Sequence, residues 1–362
     1  MRRDGLLDLE KQLAELTKRI AEEKARRKNE FLAEDMQLES AVKDLAKAYA
    51  ARDWMRMKNA AATIMTSHYD EVPEMPDAES EFDEIINSGI GYSFPDEWSI
   101  PKEIMMPTGL MTVFKAKQKT GKSRAMLSVM LAMAKKNLCV SIMSSEMPTA
   151  QVWLNLFMQH QYLERKVSYS EFEVRLALKS DHVKWTEVRE AIKRFRKDFD
   201  KNIFVLHTPG WTARRLVYGA RLGENHFGKK PHFWGIDYAQ IIEGEPSIRD
   251  MRQQHVFNSL YLTKTMKYEK IGGIVVSQQS ESGATAESQQ YEKDAGMVVA
   301  LTRETDKDTG KKSPQIEIFV EHSRSTESGK FQRFMDVKSG AIVFDNLYLP
   351  PSDRATYHDS VS

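Results

Sequence analysis

The sequence predicts an α/β protein: a mainly parallel, twisted sheet covered by helices, preceded by a short all-α N-terminal region. Three observations carry this prediction. Residues 1 to about 69 hold one glycine, Gly5, and no proline, so helices run uninterrupted there. From about residue 103 onward, short apolar runs alternate with amphipathic helical stretches, the pattern of strand–helix–strand units. Several of these runs are unbroken by polar residues, as expected for parallel strands buried on both faces.

The elements follow in order. Leu9, Leu13, Leu16 and Ile20 share one helical face. The stripe fails at Glu23 and Arg27, then resumes at Phe31, Leu38, Val42, Leu45 and Tyr49. Residues 1–69 are therefore two or three helices, serving either as a hairpin packed on itself or as an oligomerisation or partner-docking collar. Between residues 59 and 101 there is no Lys or Arg, but there are ten Asp or Glu residues, and Pro73 and Pro76 stop the helix. That composition predicts an acidic linker over 70–102. The predicted strands are Met111–Lys115, Leu138–Met143, Ile203–His207, Phe233–Ile236, Gly273–Ser277, Met297–Thr302, Ile316–Val320 and Ala341–Phe344. They define a catalytic domain over 103–349, and residues 350–362 read as a disordered tail.

Composition excludes several classes. With 41% hydrophobic and 29% charged residues, the 362-residue chain has enough apolar sequence for a sizeable core. Lys and Arg total 53 against 52 Asp and Glu, a net charge of +1, which excludes a globally basic nucleic-acid coat but not a local channel. The single cysteine, Cys139, excludes an intramolecular disulfide framework or a cysteine-cluster metal site. The histidines are scattered without metal-ligand spacing. No apolar run approaches the roughly 18 residues of a membrane helix, and the N-terminus lacks a signal-peptide core. The expectation is a soluble, cytoplasmic protein with no membrane partner, in the host cytoplasm if viral.

The strongest chemical signal follows the first strand. Ala116-Lys117-Gln118-Lys119-Thr120-Gly121-Lys122-Ser123 leads directly into an apolar helical run. A loop turning around Gly121 directs backbone N–H groups at phosphate oxygens, and the following helix adds its partial positive charge. Lys122 would neutralise the β- and γ-phosphates of ATP, and Ser123 would ligate Mg²⁺. The usual pattern has Gly where this chain has Ala116. A nucleoside triphosphatase also needs a carboxylate at a second strand end, and Phe233–Ile236 runs into Asp237. Asp237 is thus the second candidate metal ligand; capping the next helix is its structural alternative.

Taken together, the motifs resemble the RecA-like motor domain of DnaB-type replicative helicases. That family places Ala at the position of Ala116. It carries a segment like Ser144-Ser145-Glu146-Met147-Pro148 after the second strand, and its magnesium strand ends like Ile236-Asp237-Tyr238-Ala239-Gln240. A later strand runs into Ser277-Gln278, Asp294-Ala295 opens the next, and a final loop presents Arg324 after Ile318–Ser323. The match covers roughly residues 90–346. The resemblance implies an ATP- and Mg²⁺-dependent hexameric ring translocating on single-stranded DNA during replication. It also implies a helicase loader or primase as possible partners. Two departures stand out: His322 occupies a position where the family has Lys, and only a short helical region precedes the linker, as in phage- or plasmid-like versions.

Catalytic roles follow. Glu146, at the carboxyl end of a strand, can orient and deprotonate attacking water, or can merely start a helix. Gln278 would sense the γ-phosphate. Arg324 would be an arginine finger acting in trans. DNA contact is expected from the polar loop Ser280–Lys293 through Lys293, and from the loop Glu243–Gln254 through Arg249 and Arg252. Two other functions remain open at this stage, a RecA-like DNA-binding recombination or scaffold ATPase and a loader or regulatory ATPase, because the fold is common to all three.

Overall fold

The computed structural model describes residues 91–180, 182–245, 248–279, 286–305, 310–323 and 327–344, with Lys43, Asp44 and Lys47. The chain divides into two compact units, Met1–Pro76 and Asp77–Ser362. In the first, the three described residues are helical. The Leu9–Ile20 stripe and the tail 350–362 lie outside the described residues.

The second unit begins with a two-stranded antiparallel ladder of β1 (Gly91–Ser93) and β2 (Met105–Pro107). The chain then runs β3 (Met111–Ala116), α1 (Lys122–Lys135), β4 (Val140–Ser144), α2 (Thr149–Arg165), α3 (Glu171–Lys179), α4 (Thr186–Phe199), β5 (Ile203–His207) and α5 (Ala213–Phe227). It continues through β6 (Phe233–Asp237), α6 (Met251–Glu269), β7 (Gly272–Gln278), α7 (Ala286–Asp294) and β8 (Met297–Thr302). The antiparallel strands β9 (Gln315–Ser323), β10 (Gly329–Met335) and β11 (Ile342–Val343) close the sequence of elements.

Nine strands form one sheet in the order β11-β10-β9-β8-β3-β7-β6-β4-β5. The six from β8 to β5 are parallel to one another. The last three attach antiparallel at the β8 edge. Alternation along each strand divides the core into two layers. Phe114, Ile142, Phe233 and Val276 face the helices α1–α4, whose Met126, Leu156, Phe157 and Phe195 join them. Met111, Val113, Trp234 and Val275 face the opposite layer, with Leu216 of α5, Leu262 and Met266 of α6, and Tyr291 of α7.

All eight expected strands are present, most with bounds shifted by a residue or two, and Ala341–Phe344 shortens to Ile342–Val343. The expected linker requires correction at its end. Residues 91–102 belong to the folded unit: Phe94 and Trp98 are buried, Tyr92 meets Phe233 edge-on at 5.1 Å, and Arg333 donates to the Trp98 and Ser99 carbonyls. The two acids in that stretch, Asp96 and Glu97, lie at the surface, where they pair with Lys136, just past the end of α1, and with Lys135, its last residue. An acidic composition therefore conceals an aromatic anchor. Strand β10, GKFQRFM, has no apolar run to mark it in the sequence, because only Arg333 and Met335 of it are buried.

Candidate active site

The carboxyl ends of four adjacent parallel strands, β3, β7, β6 and β4, converge on one edge of the sheet, and each supplies one part of the site. Register alone brings them together: Ala116 of β3 is level with Gln278 of β7, and Asp237 of β6 is level with Ser144 of β4.

The loop after β3 is shaped by backbone constraint. Gly121 has φ of 108°, a conformation that side chains rarely adopt, and a Cβ there would meet Met335 Cε at 2.5 Å. No side chain caps the start of α1, so its first N–H groups have no side-chain partner, an arrangement suited to an anion. Lys117, Gln118 and Lys119 are exposed, whereas Ala116 and Thr120 are buried. Lys122, the first residue of α1, is also buried, and its ammonium stands 5.5 Å from the Tyr238 ring centroid. Burial lowers its pKa, with the negative charges of Asp237 and Glu146 opposing the effect. Among the described residues no carboxylate lies within ion-pair distance of it, leaving its charge available to an incoming phosphate.

Ser123 donates a 3.0 Å hydrogen bond to Asp237 Oδ1. Asp237 is fully buried at the last position of β6, and its other oxygen, Oδ2, has no hydrogen-bond partner. Desolvation raises its pKa to about 6, against the lowering effect of the Ser123 hydrogen bond, and Glu146 pushes it further up. A desolvated carboxylate with one bare oxygen, next to a hydroxyl, is a donor set that fits a hard cation. The alternative role for Asp237, as a helix cap, is not what it does: a short 3₁₀ turn, Ala239–Ile241, follows, and no N–H from it reaches the carboxylate.

Glu146 sits past β4 in a turn closed by the Ser144 hydroxyl, which accepts the Met147 N–H at 2.9 Å. The Ser145 N–H binds the Asp237 carbonyl at 2.8 Å, fixing this turn to the end of β6. The carboxylate is exposed, and its charge acts on Lys122, Asp237 and Tyr238. Gln278 ends β7, half-buried. It is held by Gln240, whose amide donates to the Ser277 hydroxyl at 2.9 Å and to the Gln278 carbonyl at 3.0 Å while its oxygen accepts the Gln278 N–H at 3.0 Å. Gln240 is legible in the sequence only as one letter of the Ile-Asp-Tyr-x-Gln motif; its part in holding β7 emerges from the fold.

The structure thus brings Lys122, Ser123, Glu146, Asp237 and Gln278 to one edge. Arg324 lies outside the described residues. The predicted DNA residues are elsewhere: Arg249 and Arg252 are exposed at the start of α6, which Asp250 caps by accepting the Gln253 N–H at 2.8 Å. Lys293 is exposed on α7, not on a loop, because the segment Ser280–Lys293 turns helical from Ala286. Sequence reading also misses two half-buried cations beside the phosphate loop. Arg124 donates to the Val337 and Lys338 carbonyls. Arg303 has its pKa lowered to about 10 by burial and by the nearby charge of Arg124.

Comparisons with known proteins give the family and the fold. The family described as DnaB-like helicase C-terminal domain matches residues 106–339. No curated relative matches the chain. Among solved structures, one described as an ATPase domain is similar at a TM-score of 0.60 and 18% identity, over 73% of this chain and 96% of that one. A DnaB-like replicative helicase, described together with its interactions with primase, is similar at a TM-score of 0.63 and 16% identity, over 86% of this chain and 76% of that one. At these identities the likeness is one of fold. The family match spans well over half of the chain and includes the phosphate loop and all four strand ends that build the site. This chain therefore belongs to the DnaB-like helicases, nucleotide-binding and ATP-hydrolysing P-loop enzymes, through their C-terminal domain.

Proposed function

We propose that this chain is the subunit of a hexameric ring that hydrolyses ATP to move along single-stranded DNA during replication. The observation that carries the reading is the Ser123–Asp237 pair at the mouth of the phosphate loop, with Asp237 Oδ2 buried and unpartnered. Ser123 and Asp237 would hold Mg²⁺, which when bound neutralises charge on the β- and γ-phosphates. The loop from Ala116 to Ser123 cradles the phosphates, and Lys122 faces the charge that develops on them. Glu146 orients water and takes its proton, as an exposed carboxylate beside a cationic site can. Gln278 reads the presence of the γ-phosphate. Arg324 of one subunit completes the site of its neighbour. Arg249, Arg252 and Lys293 contact the DNA backbone.

In the same reading residues 1–69 assemble subunits or dock a partner, residues beyond about 70 tether them, and a primase or a helicase loader binds the assembled ring. Among the described residues no helix is long and apolar enough to cross a membrane, and a cytoplasmic location fits the role.

The test combines activity with a trapped variant. Wild type should hydrolyse ATP faster when single-stranded DNA is added, and should displace a strand from a forked duplex. Glu146→Gln keeps the shape of the side chain, so it should bind Mg²⁺–nucleotide yet turn over at least about a hundredfold more slowly, the lower range for loss of a general base. DNA binding without ATP-driven strand displacement would place the chain with recombination or scaffold ATPases instead.

A further inference from the structure

Lys115 is the penultimate residue of β3, one position before the loop that cradles phosphate. It shares a strand face with Met111 and Val113, which are packed under α5–α7, where a bare ammonium would be costly. Its Nζ lies 2.9 Å from Glu292 of α7 and 2.5 Å from Glu321 of β9. The lysine side chain is only 9% exposed, against 19% for Glu292 and 30% for Glu321. Burial pulls its pKa down, but hydrogen bonds and charge attraction from the two carboxylates more than offset this, so the ammonium stays charged.

Glu321 occupies an unusual place in the sheet. The β8–β9 ladder pairs Val298 with His322 but Val299 with Val320, which leaves Glu321 as the extra residue of a bulge. A bulge re-aims the side chain it carries. Here the carboxylate reaches across β8 to the neighbouring strand β3. One buried cation therefore joins three elements: the strand entering the phosphate loop, the helix that follows the polar segment 280–285, and the strand running toward residue 324.

The geometry points to Lys115 as a positioning residue that couples the phosphate loop to α7 and β9. The inference rests on the DNA-driven ATPase reading above. Nucleotide binding reshapes the loop at the end of β3, and the ion cluster carries that shape to α7 and to the bulge. Without the ammonium, Glu292 and Glu321 face each other as like charges, and α7 and β9 lose their common anchor on β3.

The test compares Lys115→Met and Lys115→Arg with wild type, using full-length chains, a fluorescent ATP analogue and steady-state ATPase titrated with single-stranded DNA. Lys115→Met should keep nucleotide affinity and the KM for ATP within about twofold, while the DNA-stimulated kcat falls at least about tenfold, the signature of an interaction lost only in turnover. Lys115→Arg, which retains the charge, should recover most of that kcat. If Lys115→Met does not fold, Glu321→Gln serves with the same readouts, since it leaves the Lys115–Glu292 pair intact. A DNA-stimulated kcat within about twofold of wild type in the folded variants would overturn the inference. So would a joint loss of affinity and kcat that Lys115→Arg does not rescue, because that pattern means simple distortion of the loop. If wild type itself is not stimulated by DNA, the functional reading fails and the coupling with it, an outcome visible in the wild-type arm alone.

Discussion

Asp237 carries opposing demands that, on the proposed reading, a bound cation would reconcile. The strand end that places it beside Ser123 also removes it from water, and its pKa rises to about 6 from the ordinary 3.8. The sign of the consequence follows from linkage: the folded chain holds this proton more tightly than the unfolded chain does. The site's contribution to metal-free stability is thus fully present below about 3.8 and is lost as pH rises through about 6. At pH 8, Asp237→Asn should therefore raise the melting temperature of metal-free protein, by the equivalent of about 1–3 kcal/mol, while losing Mg²⁺-dependent nucleotide binding. On the proposed reading, proton and metal compete for the same oxygen in wild type. Mg²⁺–nucleotide affinity should fall by about tenfold per pH unit below about 6, whereas affinity measured in EDTA should change far less. A flat profile with metal present would remove Asp237 from the metal site. At this scale the sequence is most readable where chemistry restricts the residue type. Gly121, Lys122, Ser123 and Asp237 can each be named from spacing, because few other residues serve at those points. Lys115 cannot be named so, since a lysine ending an apolar run declares neither of the acids, 177 and 206 positions away, that keep it charged.

At the scale of elements, the site is a property of strand ends, and strand ends are the least certain part of every predicted element. The cores of the parallel strands are legible as unbroken apolar runs. Where each run stops depends on tertiary partners: β7 extends to Gln278 because Gln240, from the turn after β6, satisfies both the N–H and the carbonyl of that residue. The same bonds make Gln240 the brace for the proposed γ-phosphate sensor. Gln240→Leu keeps the volume but removes both bonds. It should leave nucleotide affinity nearly intact and lower kcat by about tenfold or more, because the loss acts through misplacement of Gln278. Gln240→Glu, which keeps the accepting oxygen for the Gln278 N–H, should be the milder variant. Equal kcat in wild type and Gln240→Leu would mean that β7 holds its end without the brace. The edge elements are illegible for a different reason. β1 and β2 are three residues each, and their anchor, Trp98, lies within an acidic stretch whose charges face solvent. Charge pattern reports what the outside of a segment does and is silent on one buried ring.

At the scale of the whole molecule, on the proposed reading the described residues supply a phosphate loop, a metal pair, a base and a sensor, and the arginine finger is the part that remains to be supplied. The sequence offers Arg324, three residues after Glu321 of β9, and on the proposed reading that guanidinium acts on a neighbouring subunit. A finger of this kind is worth about 10³–10⁵ in rate. Arg324→Ala should accordingly bind ATP with wild-type affinity and fail to turn it over. Lys122→Ala should fail at binding, because it removes the phosphate's main counter-charge. Each chain lacks what the other retains. In a mixed ring, an interface that pairs the intact phosphate loop of an Arg324→Ala subunit with the intact Arg324 of a Lys122→Ala subunit is complete. Mixing the two inactive proteins with single-stranded DNA should restore ATPase activity, in proportion to the fraction of such interfaces. Mixtures shown to co-assemble yet remaining inactive would sink the shared site, and full activity in a monomeric wild type would sink the ring.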